Sequence, residues 1–468
     1  MRLSRRNFLQ ALLGGASALP ATAWLTQADP APWAAPPAVQ HHTRPTGQSA
    51  TPVVTPDVPD LPFTLDNGVK VFHLVAEPVQ RELLPGRTVN LWGYNGTSPG
   101  PTIQAQQGDR LRIVFENHLP EPTAIHWHGL EIPPEMDGVP GITQPPVLPG
   151  ERFVYEFTVH QAGTFFYHSH MAMQEMLGMI GAFILHPRTP FEPRVDRDFL
   201  LILQEYALLP NNPTPNTMSM EFNWLTLNGR AAPATTPLLV RLGERVRIRL
   251  INLGMDHHPI HLHGNTFYVT GTEAGRIPAS AWRPENTVLV GVAQARDIEF
   301  EARYPGDWML HCHLPHHMMN QMASMVGPMT RHPGMPAGVG MPESMGMARQ
   351  GPALAEHYGP ALGRGLGAAG ELERQITNGP LGSSHQGHHG SMHHLPPGWI
   401  AAGASNVPGF PQDAYMNGPQ MAMDDAVARP ETRGLPPGWS GFLQGMMTLV
   451  RVLPPEEFDR IVHAGRPS

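Results

Sequence analysis

Four tripeptides of the form H-x-H occur in the chain, at His126/His128, His168/His170, His261/His263 and His311/His313, and the last encloses Cys312, the single cysteine of 468 residues. In a β-strand, residues i and i+2 face the same side, so each tripeptide presents two imidazoles to one location. Eight imidazoles delivered in pairs suit several copper ions. Cys312 must then point away from His311 and His313. In the segment from His311 to Met322, a thiolate, an imidazole five residues on at His317 and a thioether ten residues on at Met322 make up most of a blue-copper site, in which two imidazoles and a thiolate bind equatorially and a thioether sits axially. His258, in the run His258-Pro259-Ile260-His261-Leu262-His263, is the candidate for the missing imidazole.

The middle of the chain is duplicated. Gly108-Asp109-Arg110-Leu111-Arg112-Ile113, leading to His126-Trp127-His128-Gly129, matches Gly243-Glu244-Arg245-Val246-Arg247-Ile248, leading to His261-Leu262-His263-Gly264; Gly163 to His170 likewise matches Gly306 to His313. The repeat has the size of an ordinary domain and exceeds any solenoid unit. Both halves are built of short β-prone runs, such as Phe153-Val154-Tyr155-Glu156-Phe157 and Thr287-Val288-Leu289-Val290, punctuated by Gly, Pro and Asn. Such spacing predicts an all-β architecture of two Greek-key β-sandwich domains, at residues 58–188 and 196–332. Carried back at the offset of each match, His258 falls on Thr123, Cys312 on Ser169, His317 on Gln174 and Met322 on Met179. Serine cannot replace a thiolate, so the blue site is expected in the second domain alone.

The ends differ in character. Residues 1–28 carry Arg5-Arg6 ahead of an apolar stretch of small residues from Ala11 to Ala23, the pattern of a twin-arginine export signal, and the stretch is too short to span a bilayer. No membrane span is expected in the mature chain, which belongs in the periplasm or outside the cell. Residues 29–57 are Pro-rich and predicted as linker. Residues 333–468 carry Met335, Met341, Met345 and Met347 and a histidine patch from His385 to His394, and are predicted as a largely disordered Met/His-rich tail with short helices, among them an apolar one over Phe442 to Leu453. A lone cysteine forbids an internal disulfide and fits a ligand instead. The net charge of -8, with Lys70 as the only lysine, excludes a nucleic-acid footprint.

Taken in order, His126-Trp127-His128-Gly129, His168-Ser169-His170, the H-x-x-H-x-H from His258 and the H-C-H-x-x-x-H-x-x-x-x-M from His311 resemble the four copper motifs of the multicopper oxidases, and the two-domain arrangement resembles the small laccases. The resemblance implies a cupredoxin fold for each half and four coppers per chain. His258, Cys312, His317 and Met322 would hold the type 1 ion, and His126 and His261 the type 2. The type 3 pair would take His128, His168, His170, His263, His311 and His313. It further implies a homotrimer, with domain one of a subunit facing domain two of its neighbour. The implied activity is one-electron oxidation of a reductant coupled to four-electron reduction of dioxygen to water; the methionine-rich tail, with Met171, Met173, Met176 and Met179 after the second motif, favours a cuprous or other metal ion as that reductant. Cys312 would carry the electron, and Asp137 would serve as the acid beside the type 2 copper.

Three other functions are weighed against this one. A laccase-type phenol oxidase shares every ligand. A copper nitrite reductase keeps its blue site in the first domain and needs fewer histidines, which Ser169 and the eight-histidine set oppose. A copper-binding periplasmic protein without catalysis would have lost ligands that are all present here.

Overall fold

The computed structural model describes residues 51–464, apart from 209–211, 219, 221 and 319–422. The signal-like residues 1–28, most of the Pro-rich segment, Met322 and the Met/His-rich stretches therefore lie outside the described residues.

Alternating burial builds the first sandwich. Arg110–Asn117 runs eBiBiBiB, burying Leu111, Ile113 and Phe115 on one face while Arg112 and Glu116 stay on the other. It pairs with Val69–Leu84 and Arg152–Thr158 in a five-stranded sheet that also holds Phe63–Asp66 and Arg87–Tyr94. The facing sheet is ordered Gly100–Gln106, Ile180–His186, Gly163–Ser169, Ile125–His128. Trp127, Tyr155, Tyr167 and Phe183 fill the space between the two.

The second sandwich repeats this plan. Arg197–Tyr206, Arg245–Asn252 and Gln294–Glu301 lie side by side in an eight-stranded sheet, and Leu238–Arg241, Met447–Leu453, Gly306–Cys312, His258–Leu262 and Thr287–Val290 form the five-stranded partner. The four strands of the first histidine-bearing sheet have counterparts in the same order in the second, which adds Thr287–Val290 at its edge, and the match extends to the parallel pairing of Ile180–His186 with Gly100–Gln106 and of Met447–Leu453 with Leu238–Arg241.

Two expectations are corrected here. The segment 29–57 is not linker throughout: Val53 and Val54 pair in parallel with Asp198 and Phe199 in the second sandwich. More consequentially, residues 333–468 are not a tail along their whole length, and Phe442 to Leu453 is not a helix. Met447–Leu453 is a strand inserted between Leu238–Arg241 and Gly306–Cys312, all seven residues buried, followed by the helix Pro455–Ala464. A short apolar run cannot be assigned to helix or buried strand by periodicity; here the gap in the sheet decides. Even Arg451 is enclosed, bonded to Asp307 Oδ1 at 2.6 Å and to the carbonyls of Glu431 and Arg433.

The two sandwiches pack closely. Phe166, Ile180, Ala182 and Ile184 on the histidine-bearing sheet of the first meet Leu200, Ile202, Ile251 and Ala295 on the eight-stranded sheet of the second. Beside this apolar patch lies a buried ion network. Arg249 holds Asp198 in two hydrogen bonds and donates to Thr164 Oγ1 at 2.6 Å, while Arg247 bridges Asp198 and Glu299. Thr164 belongs to the first sandwich and its partners to the second, so the network crosses the boundary. Burial would raise the Glu299 carboxyl, but Arg247 and Arg276 outweigh it and hold the group at about 2.

Candidate metal centres

One strand serves two sites because its faces differ. In His258–Leu262 the pattern BiBiB turns His258, Ile260 and Leu262 into the sandwich and His261 outward, with His263 continuing the outward face. The neighbouring strand does the same. Cys312 is registered against Ile260 and is fully buried, while His311 is registered against His261. The cysteine thus points inward between two outward histidines.

Inside, Cys312 Sγ lies 3.4 Å from His317 Nδ1 and 3.7 Å from His258 Nδ1, and the two Nδ1 atoms are 3.2 Å apart. All three residues have no exposed surface. His258 donates from Nε2 to Glu205 Oε2 at 3.1 Å, which leaves the Nδ1 lone pair aimed at the sulfur and at His317. His317 Nε2 lies 3.3 Å from Asp256 Oδ2 in a charge contact off the hydrogen-bond axis. That contact holds the Asp256 carboxyl below its ordinary value. Burial pushes the Cys312 thiol up to about 12. A bound cation would reverse that preference, since a coordinating thiol loses its proton to the metal's charge. One thiol and two imidazole nitrogens crowded together, with lone pairs convergent, fit copper by donor chemistry and enclosure.

Outside, two quartets face away from their sandwiches with similar geometry. His126 and His170 are edge-on at 5.5 Å and 80°, and His261 and His313 at 5.4 Å and 75°. Within the second tripeptide of each sandwich the rings lie flatter: His168 and His170 at 24°, His311 and His313 at 31°. Each quartet also fixes its Nδ1 donors on nearby carbonyls. His126 donates to Asp137 O at 2.8 Å and His261 to Asn286 O at 2.7 Å, while His168 donates to Ser169 O at 2.8 Å and His311 to Cys312 O at 2.9 Å. These bonds leave Nε2 free to ligate. Burial lowers the pKa of His126, His311 and His263, and takes His128 down to about 4, so these rings stay neutral and able to bind metal at neutral pH. Ring nitrogens of His126, His128 and His168 all lie within 4.8 Å of one another. Among the described residues, the ring contacts between these eight histidines fall within a quartet and none joins one quartet to the other.

Asp137 caps the short 3-10 turn Pro134–Met136 and brings its carboxylate oxygen to 3.5 Å from His126 Nδ1. The loop can approach so closely because Gly138 follows: at φ +87° it packs against the carbonyl of Ile125, where a Cβ would sit 1.6 Å from the oxygen. Three carboxylates escaped the sequence reading. Glu205 sits in the apolar strand Arg197–Tyr206, where a buried acid is itself a signal. Asp256 lies two residues before His258, and Glu175, 2.9 Å from His168 Nδ1, follows Gln174.

Residues 76–190 and 207–329 each match a family model described as multicopper oxidase. A crystal structure of blue copper oxidase from Nitrosomonas europaea is similar at 31% identity and a TM-score of 0.50, over 53% of this chain and 80% of that one. Copper resistance protein A of Escherichia coli is 41% identical over 136 residues, and Laccase-2 of Botryotinia fuckeliana 32% identical over 245 residues. Those stretches are 27% and 47% of this chain, and 22% and 41% of the relatives, so the chain spans well under half the length of either. The chain belongs to the multicopper oxidase family, and copper is the metal that family membership implies. No described helix is long and apolar enough to cross a membrane.

Proposed function

We propose that the protein is an oxygen-reducing oxidase that holds four coppers per chain and draws electrons from a small reductant, a metal cation being favoured over a phenol. The observation that carries this reading is the inward convergence of Cys312 Sγ with His258 Nδ1 and His317 Nδ1, on a strand whose outward face holds His311 and His313. His126 and His261 are assigned to one type of outer copper, and His128, His168, His170, His263, His311 and His313 to a pair. Copper held at these sites would accept single electrons at the inner one and reduce dioxygen to water at the outer ones. Cys312 is bonded through the backbone to both His311 and His313, so inner and outer sites are joined by covalent bonds. Asp137, beside His126, is placed to deliver protons to the outer site or to orient a water there.

The preference for a cation rests on charge. Asp256 is one-third exposed and touches His317, which holds its carboxyl below the ordinary value, and Met255 beside it is 45% exposed. A negative group and a soft sulfur at the edge of the inner site suit a cuprous ion.

Two quartets that make no ring contact in one chain support a head-to-tail homotrimer, in which the first domain of each subunit meets the second domain of the next. The packing favours it: the first sandwich's histidine-bearing sheet lies against the sheet of the second that carries no metal motif. Export by the twin-arginine route, to the periplasm or beyond, is supported by Arg5-Arg6 and the apolar run behind them. Oxygen consumption by copper-loaded protein with Cu(I), Mn(II) and a phenol tests the reading. Fastest turnover with Cu(I) is expected, a phenol preference would make it a laccase, and a colourless protein without oxygen uptake would end the proposal. A monomeric mass for fully active protein in light scattering would remove the trimer.

A further inference from the structure

The duplication supplies an internal ruler for the inner site. In the first sandwich Ser169 N donates to Met179 O at 3.2 Å, Met179 N donates to Gln174 O at 3.3 Å, and Ile180 is registered against His168. In the second, Cys312 N donates to Met446 O at 3.0 Å, Met446 N donates to His317 O at 3.0 Å, and Met447 is registered against His311. Since Ser169 corresponds to Cys312, Gln174 to His317 and His168 to His311, Met179 corresponds to Met446. A constant sequence offset instead pairs Met179 with Met322, because it assumes that nothing is inserted after His317.

We propose that Met446, rather than Met322, supplies the axial thioether of the Cys312 site. Its backbone is tied on one side to Cys312 and on the other to His317, so the residue is strung between two of the three ligands. It is fully buried and belongs to the apolar cluster that contains Cys312, Ile260 and Leu262. Strand alternation gives the same placement. Val450 and Val452 share that cluster and Met446 is in step with them, whereas Met447 and Leu449 face a separate cluster with Leu443. The first sandwich repeats the pattern, with Met179, Phe183 and Leu185 on the inner face. The preceding Gly445 is required by the fold: its φ is +64° and a Cβ there would stand 2.2 Å from His317 O.

The assignment rests on the reading of His258, Cys312 and His317 as a copper site, and it places residues 318–445 as an insertion between two ligands. The test compares Met446→Leu and Met322→Leu with the parent protein, each copper-loaded, by visible and EPR spectra and by redox titration of the blue copper. Leucine removes a donor that stabilises the oxidised ion. Met446→Leu should therefore raise the midpoint potential and change the EPR hyperfine splitting, and Met322→Leu should match the parent. Met446→Gln, which offers an amide oxygen in place of sulfur, guards against a packing effect and should shift the spectrum differently from leucine. A potential that moves with Met322→Leu, or stays fixed in Met446→Leu, overturns the assignment while the parent's blue band leaves the copper site standing. A colourless parent overturns both.

Discussion

The inner sites of the two sandwiches share a backbone and differ in what they ask of a ligand. In the first, Gln174 Oε1 accepts from Thr123 Oγ1 and from Ser169 Oγ, both at 2.7 Å, and Gln174 Nε2 donates to Pro122 O at 3.0 Å. The pocket satisfies itself. In the second, the equivalent His258, Cys312 and His317 bring lone pairs together with few protons to share among them. Imidazole nitrogens 3.2 Å apart repel unless a proton or a metal stands near them. The contrast teaches that the same fold can close such a pocket with hydrogen bonds or leave it in need of a cation, and that three side chains decide which.

Copying one side chain of the first pocket into the second gives the largest effect. Cys312→Ser should abolish the blue absorption and inner-site copper, and lower oxygen uptake by more than the roughly 100-fold that losing an outer partner of a ligand costs. Elemental analysis with the visible spectrum checks it. Glu205 comes next, because it orients His258 and accepts from the amides of Met255 and Asp256. Glu205→Ala should weaken copper binding about 10- to 100-fold in chelator competition, and an unchanged affinity would show that the pocket orients its own ligands. In the first sandwich, Gln174→Leu removes the shared acceptor of two buried hydroxyls, which lie 3.2 Å apart and can satisfy only one donor between them, at a cost of about 1–3 kcal/mol in denaturant melts. The blue spectrum should not change, and if it does, the two pockets are coupled.

Acid gives the smallest effect. His128 is neutral in the fold with a pKa of about 4 against an ordinary 6.5. It takes up its proton more readily when unfolded, so the metal-free protein should lose stability as pH falls from 6.5 towards 4. Glu299, held at about 2 against 4.5, adds stability above 4.5 that is lost between those values. His128→Gln should flatten the first decline in pH-dependent melts and leave the second; a decline unaffected by that change would place its origin elsewhere.

Much of this was legible in the chain. The H-x-H spacing carries strand geometry and ligand direction together, so inward Cys312 and outward His311 and His313 followed from alternation alone. The duplicated motifs likewise identified Thr123, Ser169 and Gln174 as the unloaded counterpart. What escaped was whatever depends on contacts between distant segments. Glu205 stands 53 residues before His258 in an otherwise apolar strand, and nothing local reveals that the two meet. Met447–Leu453 escaped because its partner strand ends at Cys312, far back in the chain, and a buried strand in isolation resembles a helix. A charged Arg451 in a central strand is accounted for only by its distant partners Asp307, Glu431 and Arg433.

The insertion of Met447–Leu453 beside Gly306–Cys312 makes the polypeptide a closed loop in its hydrogen bonding, entering and leaving at neighbouring rungs of one ladder. A protease that nicked the chain within residues 319–422 would sever no strand among the described residues. The C-terminal fragment would stay seated as the sheet's interior member, and the product would migrate as one species in native gels and as two after denaturation. Genetic removal of everything beyond residue 332 would act quite differently, stripping a partner from the very strand that ends in the sulfur.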